Sequence, residues 1–208
     1  MLSALSDPAE DFVRSVSIQL HRSPMIVLYM QEQMDDLRLL CSRESPSHLR
    51  SVLSVDRTFN LSSLFVTVMA YKNRKVVRRT SQEPPIFIGP IMLHGNGKLA
   101  TYLHFFTSIS GALNGAAVAS SEFACDGLVI RSDEERALVS AGRIAFPNAK
   151  QLYCMMHCKD NVRHHLTAMG VSCELRERVL AKLFGCNGVS EASKNTKVKE
   201  ILKLVQLS

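Results

Sequence analysis

The chain contains no tryptophan, and aromatic residues make up only 6% of it. Few flat side chains are available for unpaired bases, so single-strand recognition by stacking is poorly supported. No stretch is long and apolar enough to span a bilayer. The opening Met1-Leu2-Ser3-Ala4-Leu5-Ser6-Asp7 turns acidic too soon for a secretory signal. Six cysteines in 208 residues, without such a signal, do not make a disulfide scaffold, and most are expected to be small buried apolar groups. No internal repeat is found. These absences point to a soluble intracellular chain of about one domain, with no membrane partner. What is present is ordinary apolar content, enough for a core, and a formal net charge of +6. That charge suits a polyanionic partner without identifying one.

Along the chain, residues 1 to about 23 are mixed and polar and read as a loosely held leader. Met25 to Met30 is a short apolar run, expected as a strand. Met34, Leu37 and Leu40 recur at helical spacing, which predicts a helix from Gln31 to Cys41. Leu53 to Asp56, Leu64 to Tyr71 and Val76-Val77 read as adjacent antiparallel strands, the last two joined by the polar turn Lys72-Asn73-Arg74-Lys75. Ile86 to His94 gives another apolar segment, with Pro90 marking an edge or a bulge. After the turn Gly95-Asn96-Gly97, Leu99, Leu103, Phe106, Ile109 and Leu113 predict a long helix ending near Gly115. Strand (to Ser132), helix (Glu134 to Ala145), strand (Gln151 to Cys154) and helix (Lys159 to Met169) then alternate, with a further helix from Glu174 to Phe184. Alternation of this kind predicts an α/β sheet with parallel strands.

Two acids stand out in that layout. Asp56 closes the apolar run Ser51-Val52-Leu53-Ser54-Val55, and Asp133 closes Leu128-Val129-Ile130-Arg131-Ser132. Carboxylates at strand ends are suited to hold divalent metals for phosphoryl transfer, where the ion neutralises phosphate and activates a nucleophile. On that reading Asp56 is a ligand shared by two metals and Asp133 a ligand of one. The plainer reading is that both are strand-end or capping acids, Asp133 standing as the N-cap before Glu134-Glu135. Cys154-Met155-Met156-His157 is a second constellation. With Cys158, and Cys173 or His164, it offers zinc-ligand types, but the spacing fits no common zinc pattern and zinc is not expected. Basic clusters at Lys72, Arg74, Lys75, Arg78 and Arg79, at Arg163, His164 and His165, and at Lys194, Lys197 and Lys199 suit phosphate contacts or plain solvation.

The order of antiparallel strands, helix, then strand-helix-strand-helix is that of an RNase H-like domain. In that fold the first strand lies centrally and borders the fourth, which would bring Asp56 and Asp133 face to face. Taken together, the segments resemble Mutator-like element transposases, a branch of the DDE/D superfamily. Asp56-Arg57-Thr58-Phe59-Asn60-Leu61 resembles the family's Asp-x-Thr-Phe motif, and Ser132-Asp133-Glu134-Glu135 its Thr-Asp-x-Glu motif. Phe146-Pro147-Asn148-Ala149 resembles the turn that follows. Cys154-Met155-Met156-His157, followed by Asn161-Val162-Arg163, resembles its Cys-x-x-His motif and basic helix.

The resemblance covers about residues 24 to 185. It implies an RNase H-like mixed sheet flanked by helices, with residues 1–48 as leader and strand/helix segment, 49–172 as core, and 173–208 as the start of a helical insertion or a tail. It implies Mg²⁺ or Mn²⁺ as cofactor, held by Asp56 and Asp133. It implies DNA, the transposon ends, as partner, leaves a homo-oligomer open, and implies nuclear action. It carries Cys154 and His157 over as a structural or DNA-positioning element. The family's third acid is a Glu on a later helix. Glu174, Glu177, Glu191 and Glu200 match no motif, and Glu191 is the nearest candidate. The expectation is a truncated transposase core with an incomplete acid triad. The alternative is a domesticated, non-catalytic DNA-binding or protein-interaction module.

Overall fold

Alternation along β3 (Leu53–Leu61) sets the frame of the fold. Leu53 and Val55 are buried, whereas Ser54 and Asp56 alternate with them and so face the other side of the sheet. The computed structural model describes residues 12–17, 24–41, 45–114, 127–133 and 135–185. It divides the chain into two units, Met1–Leu152 and Tyr153–Ser208.

In the first unit the remaining elements are β1 (Val13–Ser17), β2 (Met25–Leu28), α1 (Gln31–Cys41), β4 (Leu64–Lys72), β5 (Ile86–His94), α2 (Leu99–Asn114), β6 (Val129–Ser132), α3 (Arg136–Ala145) and all but the last residue of β7 (Lys150–Tyr153). The strands form one mixed sheet in the order β1-β2-β5-β4-β3-β6-β7. β3, β4 and β5 pair antiparallel, whereas β3 and β6 run parallel, with Leu53 opposite Ile130 and Ser54 opposite Arg131. The expected α/β architecture with a mixed sheet is present.

One face of the sheet carries the core. Met34, Leu37 and Leu40 of α1, Tyr102, Phe105, Phe106 and Ile109 of α2, and Leu138 and Ala141 of α3 join Leu53, Val55, Met69 and Ile130 in one buried cluster. The three-and-four spacing of these positions turns one stripe of each helix to the sheet. Phe106 and Phe146 meet edge-on, with ring centroids 6.0 Å apart. Where α1 meets β4, Asp36 accepts hydrogen bonds from the Tyr71 hydroxyl (2.9 Å) and Asn73 Nδ2 (3.0 Å) and pairs with Lys75 Nζ at 2.7 Å. Burial, reinforced by the Asp36 charge, pushes the Cys41 thiol up to about 12, so this cysteine is an inert packing group.

Three local expectations are corrected. Val13–Ser17 is not loose leader but a strand, paired antiparallel with β2. Val76-Val77 is not a strand; both side chains are exposed, and the partner of β4 begins only at Ile86. β3 does not stop at Asp56 but runs on to Leu61, turning into β4 through Ser62 at φ 58°. Pro90 does sit at an irregularity. The β4–β5 register shifts between Val68 and Ala70, and β2 pairs with β5 only from Ile91 onward. Its missing N–H therefore costs no regular ladder bond.

The second unit holds α4 (Met155–Ala168) and α5 (Cys173–Phe184). Ser172 caps α5 by accepting from the Leu175 N–H, and Gly185 follows its last turn. Arg163 of α4 pairs with Asp160 and, at 3.4 Å, with Glu177 of α5. Among the described residues no helix is long and apolar enough to cross a membrane.

Candidate metal centre

The parallel register of β3 and β6 brings the two acids together. Ser54 stands opposite Arg131, and two residues further along each of the two segments come Asp56 and Asp133. Two residues is the side-chain period of a strand, so both carboxylates lie on the face away from the core. Each offers an oxygen within 4.8 Å of the other's, and both side chains are half-buried. Asp133 does follow its strand directly. Asp56 is a mid-strand residue, brought level with Asp133 by register rather than by a strand end.

Neither carboxylate is consumed by the protein. Among the described residues Asp56 has no hydrogen-bond or ion-pair partner, and Asp133 Oδ1 accepts only the Glu135 N–H, at 3.2 Å. Asp133 is thus the start of a tight turn into α3 rather than its cap, and the N-cap position belongs to Glu135. Two converging, half-buried, hard oxygen donors without internal partners fit Mg²⁺ or Mn²⁺ better than a thiolate-seeking metal. Among the described residues of the first unit no third carboxylate joins them.

Behind the pair lies a support that the motifs did not reveal. Arg57, next to Asp56, points to the opposite face of β3, with its guanidinium 5.0 Å from the Phe65 ring centroid and 3.4 Å from Glu135 Oε1. The Tyr102 hydroxyl donates to the same oxygen at 2.9 Å. Burial first, and then the Glu135 carboxylate, push that phenol above its ordinary pKa. Glu135 Oε2 is buried with no hydrogen-bond partner among the described residues. Gly97 makes room for the arrangement: a Cβ there would lie 2.8 Å from Arg57 Nη1 and 2.9 Å from Glu135 Oε1. The clamp therefore fastens the residue after Asp56 to the residue two beyond Asp133.

His94 extends this support. It is fully buried, its ring edge-on to Tyr102. Nδ1–H donates to the Asn96 carbonyl at 2.7 Å, and Nε2 accepts from the Thr67 hydroxyl at 2.8 Å. One neutral tautomer satisfies both bonds. Burial lowers the His94 pKa, and the nearby Arg57 charge adds to this against the Asn96 hydrogen bond.

The other candidate residues are distributed differently. Cys154 occupies the N-cap position of α4 without a side-chain cap bond, and its thiol is free. His157 lies in the first turn of α4, with Nδ1 buried and without a hydrogen-bond partner among the described residues. No three of Cys154, Cys158, Cys173 and His164 gather within ligand reach of one another. Glu174 and Glu177 lie on α5, the latter engaged by Arg163. Glu191, Glu200, Lys194, Lys197 and Lys199 lie outside the described residues. In the basic cluster, Lys75 is committed to Asp36. Compared with models of known protein families and with curated proteins, the chain matches none.

Proposed function

We propose that the chain carries the catalytic core of a Mutator-like DNA transposase with an RNase H-like fold, holding a divalent metal for phosphodiester cleavage and strand transfer in the nucleus. The observation that carries the reading is the convergence of Asp56 and Asp133 from neighbouring parallel strands onto one face of the sheet. The strand order β5-β4-β3-β6-β7, with the first of these strands in sequence, β3, bordering the fourth, β6, supports the fold assignment. Asp56 and Asp133 would be the ligands of Mg²⁺ or Mn²⁺. When bound, such an ion neutralises phosphate charge and lowers the pKa of a water.

The protein's own part is positional. The Glu135 N–H fixes one oxygen of Asp133 and leaves the other to a ligand. The Arg57–Glu135–Tyr102 clamp holds the two acid-bearing segments abreast. The two acids found among the described residues are a partial set for two-metal chemistry, so we expect metal binding with little or no strand transfer.

The test is Mn²⁺ binding by electron paramagnetic resonance, run beside cleavage of a labelled duplex. Binding that is lost in both Asp56→Asn and Asp133→Asn supports the reading. A wild-type chain that binds no Mn²⁺, yet holds DNA in EDTA and after Asp56→Ala with Asp133→Ala, would instead be a non-catalytic DNA-binding module.

A further inference from the structure

One groove of the first unit has no role in the metal reading. It has a volume of about 300 Å³ and is lined in part by Lys72, Arg74 and Arg131, with Ser54, Val52 and Ile86. No carboxylate lines it, and among the described residues none of the three cations has an ion-pair partner. The Arg131 guanidinium is anchored across the strands by donating to Ser54 Oγ at 2.9 Å. Three like charges sharing a small concavity repel one another, and an anion placed among them relieves that repulsion.

The position of the groove is informative. Ser54 and Arg131 are register partners, and each lies two residues before one of the acids. Two residues along a strand is about 6.6 Å on the same face. One strand of duplex DNA carries a charge about every 3.4 Å along the axis. A backbone passing the acids therefore reaches the groove within one or two phosphates. Val52 and Ile86, both substantially exposed, offer an apolar wall to the sugars between them.

We propose that the Lys72–Arg74–Arg131 groove is a phosphodiester-binding subsite that seats the DNA backbone beside the bond presented at Asp56 and Asp133. Its role in positioning a scissile strand rests on the proposed function; anion binding by the groove does not. The contacts are to phosphate, so they hold DNA without reading its sequence.

The experiment is fluorescence anisotropy of the full chain with a labelled DNA duplex in EDTA, across a salt series. It compares Lys72→Gln/Arg74→Gln/Arg131→Gln with a charge-matched control, Arg136→Gln/Arg143→Gln/Lys150→Gln, whose cations are exposed elsewhere in the first unit. The groove variant should lose about 10-fold or more in affinity, and its log–log salt slope should fall by about 2–3, near 0.9 per released phosphate contact. The control should retain most of its affinity. Restoring charge with Arg131→Lys in the groove variant should recover part of the loss, which a folding defect would not allow. Equal losses in the two triples, or none in the groove variant, overturn the proposal. Inorganic phosphate that binds the wild type and not the groove variant, while the two proteins hold the duplex equally well, assigns the groove to free phosphate and overturns the backbone reading. Mn²⁺ binding is measured on the same proteins. Its absence in the wild type with the groove effect intact sinks the metal reading alone; its presence with no groove effect sinks the groove alone.

Discussion

Replacing Asp56 by asparagine should make the metal-free protein more stable, not less. The two carboxylates approach within 4.8 Å, and Asp56 has no partner among the described residues whose loss would offset the change. Two unit charges at that distance repel by about 1 kcal/mol in water and about 3–4 kcal/mol at an effective dielectric constant of 20. Both groups are half-buried, so the relief should fall near the lower half of that range, about 1–2 kcal/mol. For a chain of this size each kcal/mol moves the midpoint by about 2–4 °C. Asparagine keeps the shape of the side chain, so packing contributes little to the difference.

Metal should reverse the order. A ligand present at about 100 times its Kd stabilises the state that binds it by about 2.7 kcal/mol. Wild type should gain that increment with Mn²⁺, and Asp56→Asn should gain little of it. The assay is thermal unfolding of both proteins in EDTA and in Mn²⁺ at one ionic strength, because exposed charges are screened by salt. The melting curves should cross: the variant higher in EDTA, the wild type higher in Mn²⁺. A variant that melts lower in EDTA would mean that Asp56 makes a stabilising contact. A variant that keeps the full Mn²⁺ increment would mean that the acids are not the ligands. Either result refutes the reasoning.

Two further outcomes probe the support behind the acids. Tyr102→Phe removes a buried hydrogen bond to a carboxylate already short of one partner, and should cost about 1.5–3 kcal/mol in urea unfolding; it should also weaken Mn²⁺ binding, whereas a purely local packing role would leave binding unchanged. The lowered pKa of His94 sets a pH dependence: above about 6.5 both folded and unfolded states hold it neutral, and below that value the unfolded chain takes up a proton that the folded one refuses, so stability should fall as pH drops from 7.5 to 5.5. A His94→Gln variant should show a shallower decline over that window, and an unchanged slope would count against the assignment.

The helices were legible in the sequence because their signal is local. Met34, Leu37 and Leu40 are spaced for one helical stripe, and the same residues are buried in α1. Strand limits depend on partners and are less legible. Val13–Ser17 has no strong alternation of its own and becomes a strand by pairing with β2. Val76-Val77 has the composition of a strand but lies in the connection between β4 and β5. Beyond Asp56, β3 continues through Arg57, whose charge argues against a buried strand until its packing over Phe65 and its pairing with Glu135 are seen.

The site depends most on what a sequence does not contain. Asp56 and Asp133 were identifiable as residues, but their meeting is a property of register. If β3 slid by one residue against β6, the strand's period of two would turn Asp56 toward the core and Val55 toward the acid face. What prevents the slip is the burial of Leu53 and Val55 beside Ile130, residues that carry no chemistry. Glu135 was visible within the second acid motif, yet its partners lie 33 and 78 residues away at Tyr102 and Arg57. No spacing rule connects such positions. The apolar alternation of β3 therefore acts on the candidate metal centre as directly as the carboxylates do, because without that alternation nothing holds the two acids on one face.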